Sequence, residues 1–137
     1  MNAFGITDKG KVRSANQDAY RLSLSPDGEY VLAALCDGMG GVHGGEIASA
    51  VAADSFMQYA EDMLRREPKS DAAQILREAA AYANLKVYDR AFRDESCRGM
   101  GTTLVRLLSP SEQSRRTASS SRSRGIIRSC RAWWTAG

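Results

Sequence analysis

The sequence predicts an α+β domain in which helices pack on an antiparallel sheet. Three observations carry this. Tyr20, Leu22 and Leu24 alternate with Arg21 and Ser23, and Ser25-Pro26-Asp27-Gly28 then turns the chain into the apolar run Tyr30–Cys36. That is the pattern of a hairpin. Glu46 to about Arg66 and Asp71 to about Phe92 repeat apolar residues at intervals of three and four, as amphipathic helices do. Thr102–Leu108, reading TTLVRLL, then begins a further strand. Strands, two long helices and another strand, in that order, suit helices segregated on an antiparallel sheet.

Each element has a local reason. Ala3–Thr7 is a short apolar opening that reads as an edge strand, and Asp8–Gly10 turns the chain. Lys11–Asp18 is polar. In the hairpin turn, Pro26 presets φ and Gly28 accepts a positive φ. Tyr30–Cys36 lacks helical spacing and is closed by glycines, so it reads as a strand buried on both faces and ending at Asp37. The first helix has its apolar stripe at Ala48, Ala52, Phe56, Tyr59, Ala60, Met63 and Leu64, and Pro68 stops it. Ser70 is the expected N-cap of the second helix, with Asp71 in its first turn. Ile75, Leu76, Ala79, Ala83 and Val87 form its buried face. Arg98–Gly101 turns again.

The hairpin brings Asp18, at the start of one strand, near Asp37, at the end of the other. Two carboxylates meeting there repel unless a cation lies between them. Gly38, Gly40, Gly41, Gly44 and Gly45 follow Asp37, and a loop so poor in side chains leaves the acid accessible. Magnesium and manganese favour carboxylate and carbonyl oxygens and water. The plainer alternative is that Asp37 caps a turn and Asp18 is a solvated acid. The glycine loop is not a P-loop, because no Lys-Ser or Lys-Thr pair follows it. Nor is it a dinucleotide fingerprint, because no strand–helix–strand unit with a later acid is evident. Arg13 shares the polar loop with Asp18, and a guanidinium grips phosphate in bidentate fashion. His43, the single histidine, is given no role.

The 137 residues suffice for one domain. No apolar run reaches membrane-spanning length and no secretion signal opens the chain, so a cytoplasmic, membrane-free protein is expected. Cys36, Cys97 and Cys130 are scattered and read as reduced thiols. The net charge of +3 divides unevenly: residues 106–137 hold seven Arg and one acid, a net +6, leaving −3 on residues 1–105. A nucleic-acid partner is therefore not expected for the body of the chain.

Three stretches in order resemble the bacterial branch of the PPM-type metal-dependent serine/threonine protein phosphatases. They are TDKGKVRSANQDAY (Thr7–Tyr20), CDGMGGVHGGEIAS (Cys36–Ser49) and GMGTTLV (Gly99–Val105). The resemblance covers about residues 2 to 105. It implies an antiparallel β-sandwich flanked by helices, in α-β-β-α layers, incomplete in this chain. It implies that Asp37 bridges two Mg²⁺ or Mn²⁺ ions, that the Gly38 carbonyl joins one, and that Asp18 sits in the same shell. Arg13 would hold the substrate phosphate, making Arg13 and Asp37 the catalytic pair. Asn16, Gly101, Thr102 and Thr103 would support the site. Phosphoserine and phosphothreonine proteins would be the substrates, a cognate serine/threonine kinase a candidate partner, and the protein a monomer.

The family's later Gly-Asp-Ser-Arg segment and its further aspartates have no counterpart here. The chain therefore divides into residues 1–105, the N-terminal part of such a domain, and residues 106–137, a tail rich in Arg and Ser without period. Read one nucleotide out of frame, Arg122–Gly137 permits a Thr-Arg-Asp-His-Ser segment that relatives carry, so the tail is expected to be frame-shifted or disordered. Three functions compete: a phosphatase impaired by truncation, a non-catalytic phosphoprotein-binding remnant, and, ranked last, polyanion binding through the tail.

Overall fold

Strand β2, Tyr30–Met39, is the axis of the sheet in the computed structural model, which describes residues 3–11, 15–39 and 44–110. Strand β1, Asp18–Leu24, pairs with it on one side, from Asp18↔Asp37 to Leu24↔Val31. On the other side lie β3, Gly101–Thr102, and β4, Val105–Pro110. Gly38↔Thr102 and Leu35↔Val105 belong to one antiparallel register. Carried through Thr103 and Leu104, that register sets Thr103 opposite Asp37. Helices α1, Gly44–Arg66, and α2, Ala72–Arg93, connect β2 to β3, followed by a 3₁₀ turn at Glu95–Cys97.

The hairpin turn forms as its residues dictate. Gly28 donates to the Ser25 carbonyl at 2.9 Å with φ +71°, and Ser25 Oγ accepts from Tyr30 N at 3.0 Å. Side chains on a strand alternate between faces. On β2 this turns Leu32, Ala34 and Cys36 toward α1, into the core with Ala48, Ala52, Phe56 and Ala60. Burying a side chain as large as Leu32 or Phe56 contributes roughly 1.5–3 kcal/mol. The alanines let α1 lie close to the sheet, and α2 adds Ile75, Ala79, Ala83 and Val87 to the buried residues. Among the described residues both helices pack on one side of this single sheet, which is one half of the layering expected from the resemblance. No described helix is long and apolar enough to cross a membrane.

Several expectations are corrected. Ala3–Thr7 is not a strand; Phe4 and Ile6 are 91% and 95% exposed, and the segment is tied down by the Tyr20 hydroxyl donating to the Gly5 carbonyl at 2.5 Å. β2 does not end at Asp37 but runs on to Met39, because β3 offers it two more pairing residues. Its burial on the face away from the helices is only partial: Val31 and Ala33 are buried there, but Leu35 is 52% exposed. The N-cap of α2 is Asp71, which accepts from Ala73 N at 3.0 Å. Ser70 instead donates its hydroxyl to Glu67, at 2.8 Å. The strand expected to begin at Thr102 continues to Pro110, five residues past the change in amino-acid usage. Residues 111–137 lie outside the described residues.

Candidate metal centre

A row of three residues crosses the sheet on the face away from the helices: Asp18 on β1, Asp37 on β2 and Thr103 beside it. The pairing Asp18↔Asp37 is direct, and both acids are exposed. In an antiparallel pair, residues directly opposite have Cβ atoms about 4.5–5.5 Å apart. Two like charges at that spacing are destabilising in the absence of a counter-charge.

The main chain of Asp37 is held at both ends. Thr103 N donates to the Asp37 carbonyl at 2.9 Å, and Thr102 Oγ1 lies 3.0 Å from the same oxygen. A regular ladder would return a bond from Asp37 N to the Thr103 carbonyl. Here Asp37 N donates to Thr103 Oγ1 instead, at 3.1 Å. Asp18 is held in a similar way at its N–H, which donates to Asn16 Oδ1 at 3.0 Å. The Asn16 amide donates in turn to Thr7 Oγ1 at 2.9 Å. Asp18 takes part in a further interaction as well.

Gly38 is fixed by close approach. Its N–H donates to the Gln17 carbonyl at 3.0 Å. A Cβ at Gly38 would stand 1.9 Å from Gly45 O and 2.6 Å from Gln17 O. The glycine thus lets the start of α1 and the loop before β1 both touch β2. Gly101 is buried opposite Met39, within β3. Behind Asp37, burial pushes the Cys36 thiol up to about 12, with a Thr102 hydrogen bond acting the other way. Cys36 is therefore a protonated core thiol at neutral pH, buried on the face of β2 opposite the Asp37 side chain.

The structure brings Asp18, Asp37, Gly38, Asn16, Thr102 and Thr103 into one neighbourhood. Arg13 and His43 lie outside the described residues. The sequence reasoning passed over Gln17 and Gly45, whose contacts with Gly38 join three segments, although Gln17 sits between Asn16 and Asp18. Thr7 was passed over too. The donor chemistry fits a hard divalent cation: two carboxylates on adjacent strands beside an exposed face, with water completing the shell. Among the described residues no group of three or more His, Cys, Asp or Glu could hold a metal.

Known proteins share the fold that carries these residues. The profile of the protein phosphatase 2C family matches residues 9–117. Serine/threonine protein phosphatase PstP of Mycobacterium tuberculosis is 31% identical over 102 residues, covering 74% of this chain and 18% of that protein. The crystal structure of the Mycobacterium tuberculosis phosphatase PstP/Ppp superposes with a TM-score of 0.60 at 30% identity, over 74% of this chain and 39% of that one. Serine/threonine phosphatase Stp1 of Staphylococcus aureus gives 0.59 at 31% identity, over 76% and 40%. The chain thus spans about a fifth of the curated relatives it matches. The shared sheet-and-helix frame and the span of the profile lead to one conclusion: this chain belongs to the protein phosphatase 2C family.

Proposed function

We propose that residues 1–105 are the N-terminal part of a domain that hydrolyses phosphoserine and phosphothreonine on proteins with the help of Mn²⁺ or Mg²⁺. The observation that carries this reading is the direct opposition of Asp18 and Asp37 on an exposed sheet face, next to Gly38. Asp37, Asp18 and the Gly38 carbonyl would hold the cation. When bound, the cation supplies Lewis acidity and an activated water as nucleophile. Arg13 would hold the substrate phosphate through its planar fork. Gly101, Thr102 and Thr103 would support Asp37, and Asn16 would support Asp18. The substrates would be phosphoproteins, a cognate serine/threonine kinase would supply them, and the setting would be the cytoplasm. Residues 106–110 belong to β4 and the family profile runs on to residue 117, so a frame-shifted tail without a part in the chemistry would lie beyond them.

The test is hydrolysis of p-nitrophenyl phosphate by the full chain with and without Mn²⁺, alongside Mn²⁺ binding followed by calorimetry. The expected result is Mn²⁺ binding that Asp37→Asn abolishes, with slow turnover that depends on the metal. Metal binding indifferent to Asp37 would overturn the reading.

A second reading is favoured by one observation, the presence of only two acids at the site among the described residues. The chain would then bind phosphoproteins without hydrolysing them. Phosphopeptide binding lost in Arg13→Ala, with no turnover, would select it.

A further inference from the structure

We infer that Thr103 and the pair Asn16–Thr7 are positioning residues that set the separation and aim of the two acids, acting from opposite ends of the row. The inference rests on the cation reading and deepens it. Asp37 and Asp18 share one feature that their strands do not require. Each gives its backbone N–H to a side-chain oxygen, Thr103 Oγ1 at 3.1 Å and Asn16 Oδ1 at 3.0 Å. A backbone N–H held by a side chain holds the Cα and the Cα–Cβ direction from which the carboxylate projects.

The Thr103 arm is short and doubly closed. Its N–H and its hydroxyl both engage Asp37, one at the carbonyl and one at the N–H. The hydroxyl thereby replaces the carbonyl that a regular ladder would use. The Thr103 carbonyl is released from β2 and lies 3.0 Å from Thr102 Oγ1. That exchange interrupts the regular strand between Thr102 and Val105, opposite the acid. The Asn16 arm is longer. Asn16 holds Asp18, and Thr7 holds Asn16 by accepting from its amide at 2.9 Å. Thr7 thus acts on the site through two hydrogen bonds without facing the cation itself. Residues that orient metal ligands typically change affinity by about 10–100-fold when removed.

The experiment measures Mn²⁺ affinity of the full chain from the electron paramagnetic resonance signal of free Mn²⁺, together with the melting temperature without metal. Thr103→Val keeps the shape and removes Oγ1. It should weaken Mn²⁺ binding about 10-fold or more, and Thr103→Ser, which retains the hydroxyl, should restore it. Asn16→Ala should weaken binding in the same direction, and Thr7→Val to a smaller extent. Should Thr103→Val fail to fold, Asn16→Ala carries the test, because that side chain lies in a partly exposed loop. Wild-type affinity in folded Thr103→Val, or in Asn16→Ala, would overturn the inference while leaving the cation reading intact. Absence of Asp37-dependent Mn²⁺ binding in the wild type would overturn both.

Discussion

Gly38→Ala places a methyl group where three backbones meet. The added Cβ would stand 1.9 Å from Gly45 O, 2.5 Å from Gly45 C and 2.6 Å from Gln17 O. Ordinary contact begins near 3.4 Å, so α1 must retreat from β2 by about 1.5 Å. None of the obstructing atoms is a movable side-chain end. Retreat of α1 loosens the core built from Ala48, Ala52 and Phe56 on Leu32 and Ala34. Overpacking typically costs about 1–3 kcal/mol, and a rigid obstacle puts this case at about 3 kcal/mol or above. For a domain of this size that lowers Tm by about 12–24 °C. Thermal unfolding followed by circular dichroism measures it. Gly28→Ala is the control: nothing lies within 4 Å of its Cβ, and its φ of +71° carries only the left-handed strain, about 1–2 kcal/mol. If Gly38→Ala melted within a few degrees of wild type, or above Gly28→Ala, the three-backbone contact would not be what seats α1.

Two further outcomes follow from single contacts. Asp71→Ala removes the cap that accepts from Ala73 N and should cost about 1 kcal/mol in urea unfolding, whereas Ser70→Ala should cost little. Cys36 has its folded pKa raised by burial from 9.0 to about 12. Its contribution is therefore complete below pH 9 and is lost as pH rises toward about 12, at up to about 1.4 kcal/mol per pH unit. Wild type should lose stability faster than Cys36→Ala between pH 9 and 11, and parallel urea-unfolding profiles would count against this.

Legibility in the sequence followed the distance over which each feature is decided. The Asp18–Asp37 pairing was readable because a Pro-Asp-Gly turn and the alternation of β1 fix a local register. The inner faces of α1 and α2 were readable from spacing, as Phe56, Ile75 and Val87 confirm by their burial. The continuation of β2 through Gly38 and Met39 was not readable. Those residues look like loop, and only pairing with Gly101 and Thr102 makes them strand. The capping of α2 turned on two adjacent residues of the same capping class, and geometry chose the second. Leu35 looked like core because its neighbours are core, yet its exposure depends on what lies over the outer face of the sheet. At the candidate site, the opposition of the two acids was legible from the local register. The braces on their N–H groups were not, because the Thr103 brace spans 66 positions.

That span bears on the order in which the molecule assembles. The hairpin closes over a handful of residues, whereas β3 and β4 reach β2 only after both helices have been spooled out. Closing the longer loop costs roughly 2 kcal/mol more chain entropy than closing the hairpin, and pairings of this range are the slow ones in folding. The two acids therefore come together early, on a flexible ribbon, and Thr103 arrives late to lock one of them. If Asp18 and Asp37 hold a cation as proposed, full affinity would wait for this closure, and the rate at which it appears during refolding would report the closing step.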